Sequence, residues 1–109
     1  MAGDKMVKVD DRTFVAEVDK SATPVLVDFG ATWCGPCRAL GATLDSMVDG
    51  YAGRVKFCYV DIQNAPMTAE RFSVRSVPTL VVFKKGAPAG SLLGAVPKTK
   101  IEQLLATVL

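Results

Sequence analysis

Short, nearly continuous runs of apolar residues mark the strands of this chain. Residues 25–29, 55–60 and 79–83 form three such runs, and each predicts a β-strand. The first run is typical of a central strand that is covered on both faces. A turn at residues 85–88 and a short strand near residues 91–93 follow, which predicts a hairpin at the end of the sheet.

Helical segments are predicted at four places. The first is capped by Asp10 or Asp11, and the others occupy residues 35–51, residues 66–72 and a segment from about Lys98 onward. The residues predicted to face inward are Phe14, Val15 and Val18, then Leu40, Leu44, Met47, Val48 and Tyr51, and finally Ile101, Leu104, Leu105 and Val108. Strands that alternate with helices before a final hairpin indicate an α/β fold, in which a central mixed β-sheet is flanked by helices on both faces.

Size, composition and charge indicate one ordinary soluble domain. The chain has 109 residues, half of them apolar and 22% charged, and we expect one core formed by residues 1–109. The net charge of +2 comes from scattered basic residues and gives no reason to expect a nucleic-acid partner. We expect no membrane partner and no secretory signal, since no apolar stretch is long enough. With an odd count of three cysteines, we expect a monomer in a reducing compartment, the cytoplasm.

The most informative chemistry lies in the sequence Trp-Cys-Gly-Pro-Cys at residues 33–37. Two cysteines at this spacing occur in metal sites and in redox sites, but their position between a strand and a helix favours redox chemistry. The chain contains no histidine, which excludes imidazole bases and histidine metal ligands. A zinc or iron–sulfur site needs four ligands, whereas Cys58 is the only cysteine outside the motif. Such a site would therefore require a dimer bridged by the metal.

Taken together, these segments resemble thioredoxin over essentially the whole chain. The resemblance rests on the motif at residues 33–37 after Val-Asp-Phe at 27–29, on Val-Pro-Thr at 77–79, and on the glycines at positions 86 and 94. It implies the thioredoxin fold and a dithiol–disulfide oxidoreductase that reduces protein disulfides. It also implies recycling by a thioredoxin reductase, with NADPH as the electron donor and FAD bound by that reductase. Because this chain lacks a glycine-rich phosphate loop, we expect it to bind no cofactor itself.

The position of each thiol predicts its role. Cys34 opens the helix, where unpaired N–H groups and the helix dipole lower the pKa of such thiols to about 3.5–7.5 from about 8.5. Cys34 is therefore the predicted nucleophile. Cys37 lies one turn later on the same side and is expected to be more buried, so it would resolve the mixed disulfide and leave a Cys34–Cys37 disulfide.

A carboxylate, Asp28, lies inside the first apolar run. A buried charge without a partner is unfavourable, so the pKa of Asp28 should be raised. We expect Asp28 to accept the proton of Cys37 when the mixed disulfide is resolved. The alternative is an edge position at which Asp28 faces water. The aspartate that thioredoxins carry at this point of the motif supports the first interpretation.

The resemblance also implies a substrate-binding groove beside the thiols. Pro78 would follow a cis peptide bond that leaves the backbone of Val77 free to pair with an extended substrate segment. Without the resemblance, Val77 and Pro78 would be only an extended dipeptide before a strand. The residues implied to form the groove are Trp33, Gly35, Pro36, Val77, Pro78, Gly94 and Ala95.

Three residues depart from the usual thioredoxin pattern. Gly30 replaces a tryptophan, which should remove an aromatic wall beside the site and add backbone freedom. Ala42 replaces a helix-kinking proline, so the long helix should be straighter. Tyr59 replaces a lysine near the aspartate, which should raise the pKa of Asp28 further.

Two further functions are alternatives at this point. One is a thioredoxin-fold binding module or chaperone-like scaffold that uses the groove without turnover, although the intact cysteine pair argues against it. The other is a disulfide-forming oxidant, although Gly-Pro between the thiols resembles the reducing members. Cys58 is interpreted as a small buried apolar residue without a function of its own.

Overall fold

Five strands form one mixed sheet in the computed structural model, which describes residues 3–109. Their bounds are β1 Val7–Val9, β2 Val25–Gly30, β3 Lys56–Asp61, β4 Thr79–Lys84 and β5 Ala87–Leu93. The order across the sheet is β1-β3-β2-β4-β5; the first three of these run parallel, while β4 is antiparallel to β2 and to β5. Every residue of β2 is buried, which confirms the predicted central strand.

Helices cover both faces of this sheet, as predicted. They are α1 Gly35–Val48, α2 Pro66–Arg71 and α3 Lys98–Ala106, with a π-helix at Val15–Asp19 and a 3₁₀ turn at Asp49–Tyr51 that continues α1. Both α1 and α2 carry a proline in the first turn, where its missing N–H leaves no hydrogen bond unmade. No helix within residues 3–109 is long and apolar enough to cross a membrane.

The two faces of the sheet have separate cores. On one face, Leu26 of β2 packs in a cluster with Leu44 of α1 and Ile101 of α3. On the other face, Phe14 before the π-helix packs against Phe83 of β4 with ring centroids 5.7 Å apart. Three of the residues predicted to face inward are only partly buried against the first core: Val48, Tyr51 and Leu104. The site described below lies at the end of the α1 face.

Three details of local structure differ from the predictions. The first helix is a single π-helical turn that buries Phe14 and Val18, and 48% of Val15 is exposed because so short a segment presents one narrow stripe to the sheet. The hairpin turn is shorter than predicted, since Ala87 and Pro88 already belong to β5, an edge strand that tolerates proline. Strand β1 has no counterpart among the predicted elements, because only one of its three residues is buried.

Candidate active site

The two thiols of the motif lie at the start of α1, just beyond the end of β2. Cys34 is the residue before α1, its backbone is extended, and it is disulfide-bonded to Cys37 with 5.2 Å between the Cα atoms. The backbone N–H of Cys37 donates a hydrogen bond to the Cys34 sulfur, at 3.2 Å. The first N–H groups of a helix have no partner within the helix, so a sulfur at this position satisfies one of them. The arrangement favours negative charge on Cys34 Sγ.

The two cysteines are buried to nearly the same extent. Their exposed fractions are 6% for Cys34 and 5% for Cys37, so the difference has the expected direction but is too small to distinguish the two thiols. Both pack with Ala31 and against the partly buried Ile62 and Val77, and these segments cover the two sulfurs together. What distinguishes Cys34 is its surroundings. It adjoins an exposed turn, in which Trp33 is 63% exposed and residues 35 and 36 are also exposed.

Asp28 lies in the middle of the sheet rather than at an edge. It belongs to the central strand β2, is fully buried, and neither of its carboxylate oxygens has a hydrogen-bond partner. The alternative of an edge position facing water is therefore wrong. Burial raises the pKa of Asp28 from 3.8 to about 7. A carboxyl group with such a pKa exchanges protons readily at neutral pH.

Asp28 and Cys37 line the same cavity, which has a volume of about 140 Å³. Lys8 of β1 and Arg38 of α1 also line it, although neither was singled out from the sequence. Arg38 donates a hydrogen bond to the carbonyl oxygen of Thr32 at 3.0 Å, which ties α1 to the segment before Cys34. The carboxyl group and the second thiol therefore border one common space.

The segment around Pro78 lies against the thiols from another part of the chain. The peptide bond between Val77 and Pro78 is cis, and the Cys34 sulfur lies 4.0 Å from the carbonyl oxygen of Val77. The Gly94 N–H donates to the carbonyl oxygen of Pro78 at 2.9 Å, which brings Gly94 and the exposed Ala95 to the same place. The backbone of Val77 thus lies beside Cys34, and Gly94 is hydrogen-bonded to the residue that follows Val77.

The departures at positions 30 and 59 are structurally connected. A Cβ atom on Gly30 would lie 3.0 Å from Cε1 of Tyr59 and 3.4 Å from its hydroxyl oxygen. Tyr59 therefore supplies an aromatic ring next to Gly30. The expected loss of an aromatic wall beside the thiols stays a prediction. Burial, followed by the charges of Asp61 and Asp28, raises the pKa of Tyr59 to about 12. Ala42 is exposed on α1, which runs as one α-helix across this position.

Sequence reasoning missed Ile62 as a neighbour of the thiols. Strands β2 and β3 are parallel, so their carboxyl ends meet at one edge of the sheet, where ligand and active sites of α/β proteins commonly lie. The Ile62 N–H donates to the carbonyl oxygen of Gly30 at 3.0 Å and fixes Ile62 beside the end of β2. The position of Ile62 two residues after the predicted strand at residues 55–60 was the available signal.

Other reactive groups within residues 3–109 do not form a second centre. Cys58 is a free cysteine without exposed surface, and burial raises the pKa of its thiol to about 12. At neutral pH it is therefore a neutral, unreactive thiol. No three His, Cys, Asp or Glu side chains among these residues come together in a group that could hold a metal ion.

Comparison with known proteins agrees with this geometry. The Thioredoxin family model matches residues 5–107. The chain is 44% identical over 98 residues to Thioredoxin 1 of Nostoc sp., covering 90% of this chain and 92% of that protein. It is 43% identical over 97 residues to Thioredoxin 1 of Synechococcus elongatus, covering 89% and 91%. It is 38% identical over 102 residues to chloroplastic Thioredoxin M5 of Oryza sativa, covering 94% of this chain and 59% of that protein. Thioredoxins act through their own redox-active cysteine pair without a bound cofactor, and this chain belongs to the thioredoxin family as a thiol–disulfide oxidoreductase.

Proposed function

We propose that this oxidoreductase reduces protein disulfides with Cys34 as the nucleophile, Cys37 as the resolving thiol and Asp28 as the proton acceptor for Cys37. The observation that carries the proposal is the position of the Cys34 sulfur directly before α1, where it accepts a hydrogen bond from the Cys37 N–H. In the reduced protein, the same N–H group and the helix dipole stabilise the Cys34 thiolate, which is the attacking species.

The reaction proceeds by two thiol–disulfide exchanges. First, the Cys34 thiolate attacks one sulfur of the substrate disulfide; the substrate S–S bond breaks, and one substrate sulfur leaves as a thiolate that takes up a proton. Cys37 then loses its proton and attacks Cys34 Sγ, which releases the second substrate sulfur. The substrate gains two electrons and two protons, and the protein is left with the Cys34–Cys37 disulfide that the structure contains.

Asp28 takes part in the second exchange. Cys37 must be deprotonated to attack, and the cavity that it shares with Asp28 brings an unpartnered carboxylate close to its thiol. A pKa of about 7 allows Asp28 to accept this proton at neutral pH and to release it afterwards. A lower pKa would make it a weaker base, and a higher one would keep it protonated.

The substrate is an extended segment that carries a disulfide. The Val77 carbonyl oxygen lies 4.0 Å from Cys34 Sγ, so a strand paired with the Val77 backbone would bring its own sulfur to Cys34. We expect the walls of this groove to be formed by the exposed ring of Trp33, the backbone at Gly35 and Pro36, and the segment with Gly94 and Ala95. Backbone pairing is independent of side chains, so we expect many protein disulfides to be accepted.

After each cycle the disulfide must be reduced again. We propose a thioredoxin reductase as the partner, with NADPH as the electron source and FAD held by that reductase, because thioredoxins in general are recycled by a reductase. We also propose that residues 1–109 form one thioredoxin domain and that the protein acts as a monomer in the cytoplasm. The odd count of three cysteines supports a reducing compartment.

A trapping experiment tests the two thiol roles. With Cys37→Ser, attack on a disulfide substrate such as insulin should stop at the mixed disulfide on Cys34, because no thiol remains to resolve it. Non-reducing electrophoresis of the full chain should then show an adduct that dithiothreitol releases. The matched double variant Cys34→Ser with Cys37→Ser should form none. An adduct with Cys34→Ser alone, at a rate similar to that of Cys37→Ser, would show that the roles are reversed.

A further inference from the structure

Tyr59 lies next to the buried Asp28 in the sheet. We propose that Tyr59 is a positioning residue whose ring keeps water away from Asp28 and thereby sets the pH range in which Asp28 and Cys37 exchange a proton. This inference rests on the proposed role of Asp28 in the disulfide exchange. Three independent features of the structure support it.

The first feature is the register of the parallel strands. Tyr59 of β3 is paired directly with Asp28 of β2 and, on its other side, with Lys8 of β1. Residues paired in register point to the same face of a sheet, so Tyr59 is the immediate lateral neighbour of the buried carboxyl group. Lys8 lies one strand further away, with Tyr59 between the two charged side chains.

The second feature is the absence of a side chain at Gly30. An ideal Cβ atom there would lie 3.0 Å from Cε1 of Tyr59 and 3.6 Å from the Cβ atom of Cys37. The ring of Tyr59 therefore lies over the end of β2, next to the first turn of α1. Any larger side chain at position 30 would compete with the ring for this space. Gly30 and Tyr59 thus act as a pair: the glycine makes the room that the ring fills.

The third feature is the position of Tyr59 between two cavities. One cavity, of about 140 Å³, is lined by Asp28 and Cys37. The other, of about 360 Å³, is lined by the polar residues Asp61 and Asn64. Three residues line both cavities, namely Lys8, Thr32 and Tyr59, and among them only Tyr59 is paired with Asp28 in the sheet. We therefore expect removal of its ring to widen the space beside Asp28 and to admit water there.

The ring rather than the hydroxyl group carries this effect. Neither oxygen of Asp28 has a hydrogen-bond partner, so the phenol of Tyr59 does not bind the carboxylate. The raised pKa of Tyr59, about 12, keeps the phenol neutral over the working range, and it adds no charge to the site. What remains is exclusion of water, which disfavours the charged form of a carboxyl group.

Other ionisable groups around Asp28 come from each neighbouring element. Lys8 of β1 and Arg38 of α1 line its cavity, together with Cys37. Asp61, two residues after Tyr59 in β3, lines the second cavity. From β4, the residue paired with Asp28 is the apolar Leu80. A substitution confined to Tyr59 leaves all of these groups in place, so a change in the pKa of Asp28 would report on the ring.

The experiment is an NMR titration of the Asp28 side-chain carboxyl carbon in the oxidised full-length protein. Tyr59→Phe keeps the ring and should leave the pKa of Asp28 near about 7, as in the parent protein. Tyr59→Ala should lower this pKa by about one unit or more, a tenfold or greater loss of proton affinity, because water reaches the carboxylate. Tyr51→Ala is the matched control: Tyr51 packs against Phe57 elsewhere in the core, and its loss should affect stability but not the titration.

The outcomes separate the possible explanations. An unchanged pKa in Tyr59→Ala would overturn the proposal, and equal decreases in Tyr59→Phe and Tyr59→Ala would assign the effect to the hydroxyl group instead. If Tyr59→Ala does not fold, Tyr59→Leu, which also removes the ring, should show the same decrease. The titration needs no turnover, so it is independent of the catalytic proposal. A decreased pKa in Tyr59→Ala together with a normal exchange rate in Asp28→Asn would keep the shielding and reject the proton-transfer role.

Discussion

Asp28 and Cys58 lie in the two central strands, and neither has any exposed surface. Asp28 is paired with Tyr59, and Cys58 is paired with Val27, so the two acidic groups point to opposite faces of the sheet. Burial raises the pKa of Asp28 from 3.8 to about 7 and that of Cys58 from 9.0 to about 12. The same physical effect brings one group to neutral pH and moves the other further from it.

The difference between these two groups also lies in their neighbours. Asp28 lines a cavity together with Cys37, the thiol that we propose as its partner for proton exchange. Cys58 packs among apolar residues such as Val27 and Phe29 on the opposite face. A titratable group in the core is therefore useful for catalysis only if its pKa lies near the working pH and a reacting group can reach it.

The largest effect is expected at Cys34, the thiol next to the exposed turn. Cys34→Ser should reduce insulin-disulfide reduction to the background rate, because a hydroxyl group cannot form the mixed disulfide. The rate should be measured with dithiothreitol as the reductant, and circular dichroism should show an unchanged fold. Turnover retained at one tenth of the parent rate or more would show that another thiol, such as Cys37, can attack the substrate.

The next largest effect is expected at the buried carboxyl group of Asp28. Asp28→Asn should slow resolution of the mixed disulfide by about 10²-fold at neutral pH, which is typical of the loss of a general base. The parent rate should rise through an inflection near the Asp28 pKa of about 7, and the variant should lack this inflection. Stopped-flow measurement of the exchange from pH 5 to pH 9, values that span that pKa by about two units on each side, provides the test.

A surface aspartate provides the control for this substitution. Asp49 is exposed and forms an ion pair with Lys5 at 3.0 Å, so Asp49→Asn makes the same chemical change away from the site. Its pH profile should coincide with that of the parent protein. If Asp28→Asn also gives the parent profile, Asp28 is not the proton acceptor.

The raised pKa of Asp28 also has a consequence for stability. Because the folded state binds this proton more tightly than the unfolded chain, the contribution of Asp28 is most favourable below about pH 3.8 and is lost as the pH rises through about 7. Asp28→Asn should remove this loss, so the variant should be more stable than the parent at pH 8, by up to about 4 kcal/mol. Urea unfolding of both proteins at pH 4 and pH 8, about the two ends of this range, measures the difference. A difference that does not change with pH would contradict the raised pKa.

The sheet and the redox-active cysteine pair could be predicted from the sequence, but the exact surroundings of the pair and of Asp28 could not. Apolar runs record burial on both faces, so β2, β3 and β4 were recognisable. The neighbourhood of Asp28 depends on how β1 pairs with β3, because this pairing brings Lys8 beside Tyr59. Strand β1 itself has only three residues, which is too few to show a recognisable hydrophobic pattern in the sequence. The cysteine pair likewise packs against Ile62 and Val77, which come from distant parts of the chain.

The smallest effect on activity is expected at Cys58. Cys58→Ala should leave the exchange rate and its pH profile as in the parent protein, because the thiol is neutral and packed on the face opposite Cys37. The free energy of unfolding should fall by about 1–2 kcal/mol, since the smaller side chain leaves a gap in the core. In the parent protein, labelling of Cys58 by iodoacetamide should require unfolding and should accelerate in urea. Rapid labelling under native conditions, or a shifted pH profile in Cys58→Ala, would show that burial does not isolate this thiol. Cys58 would then not differ from Asp28 as a buried group that takes no part in the reaction.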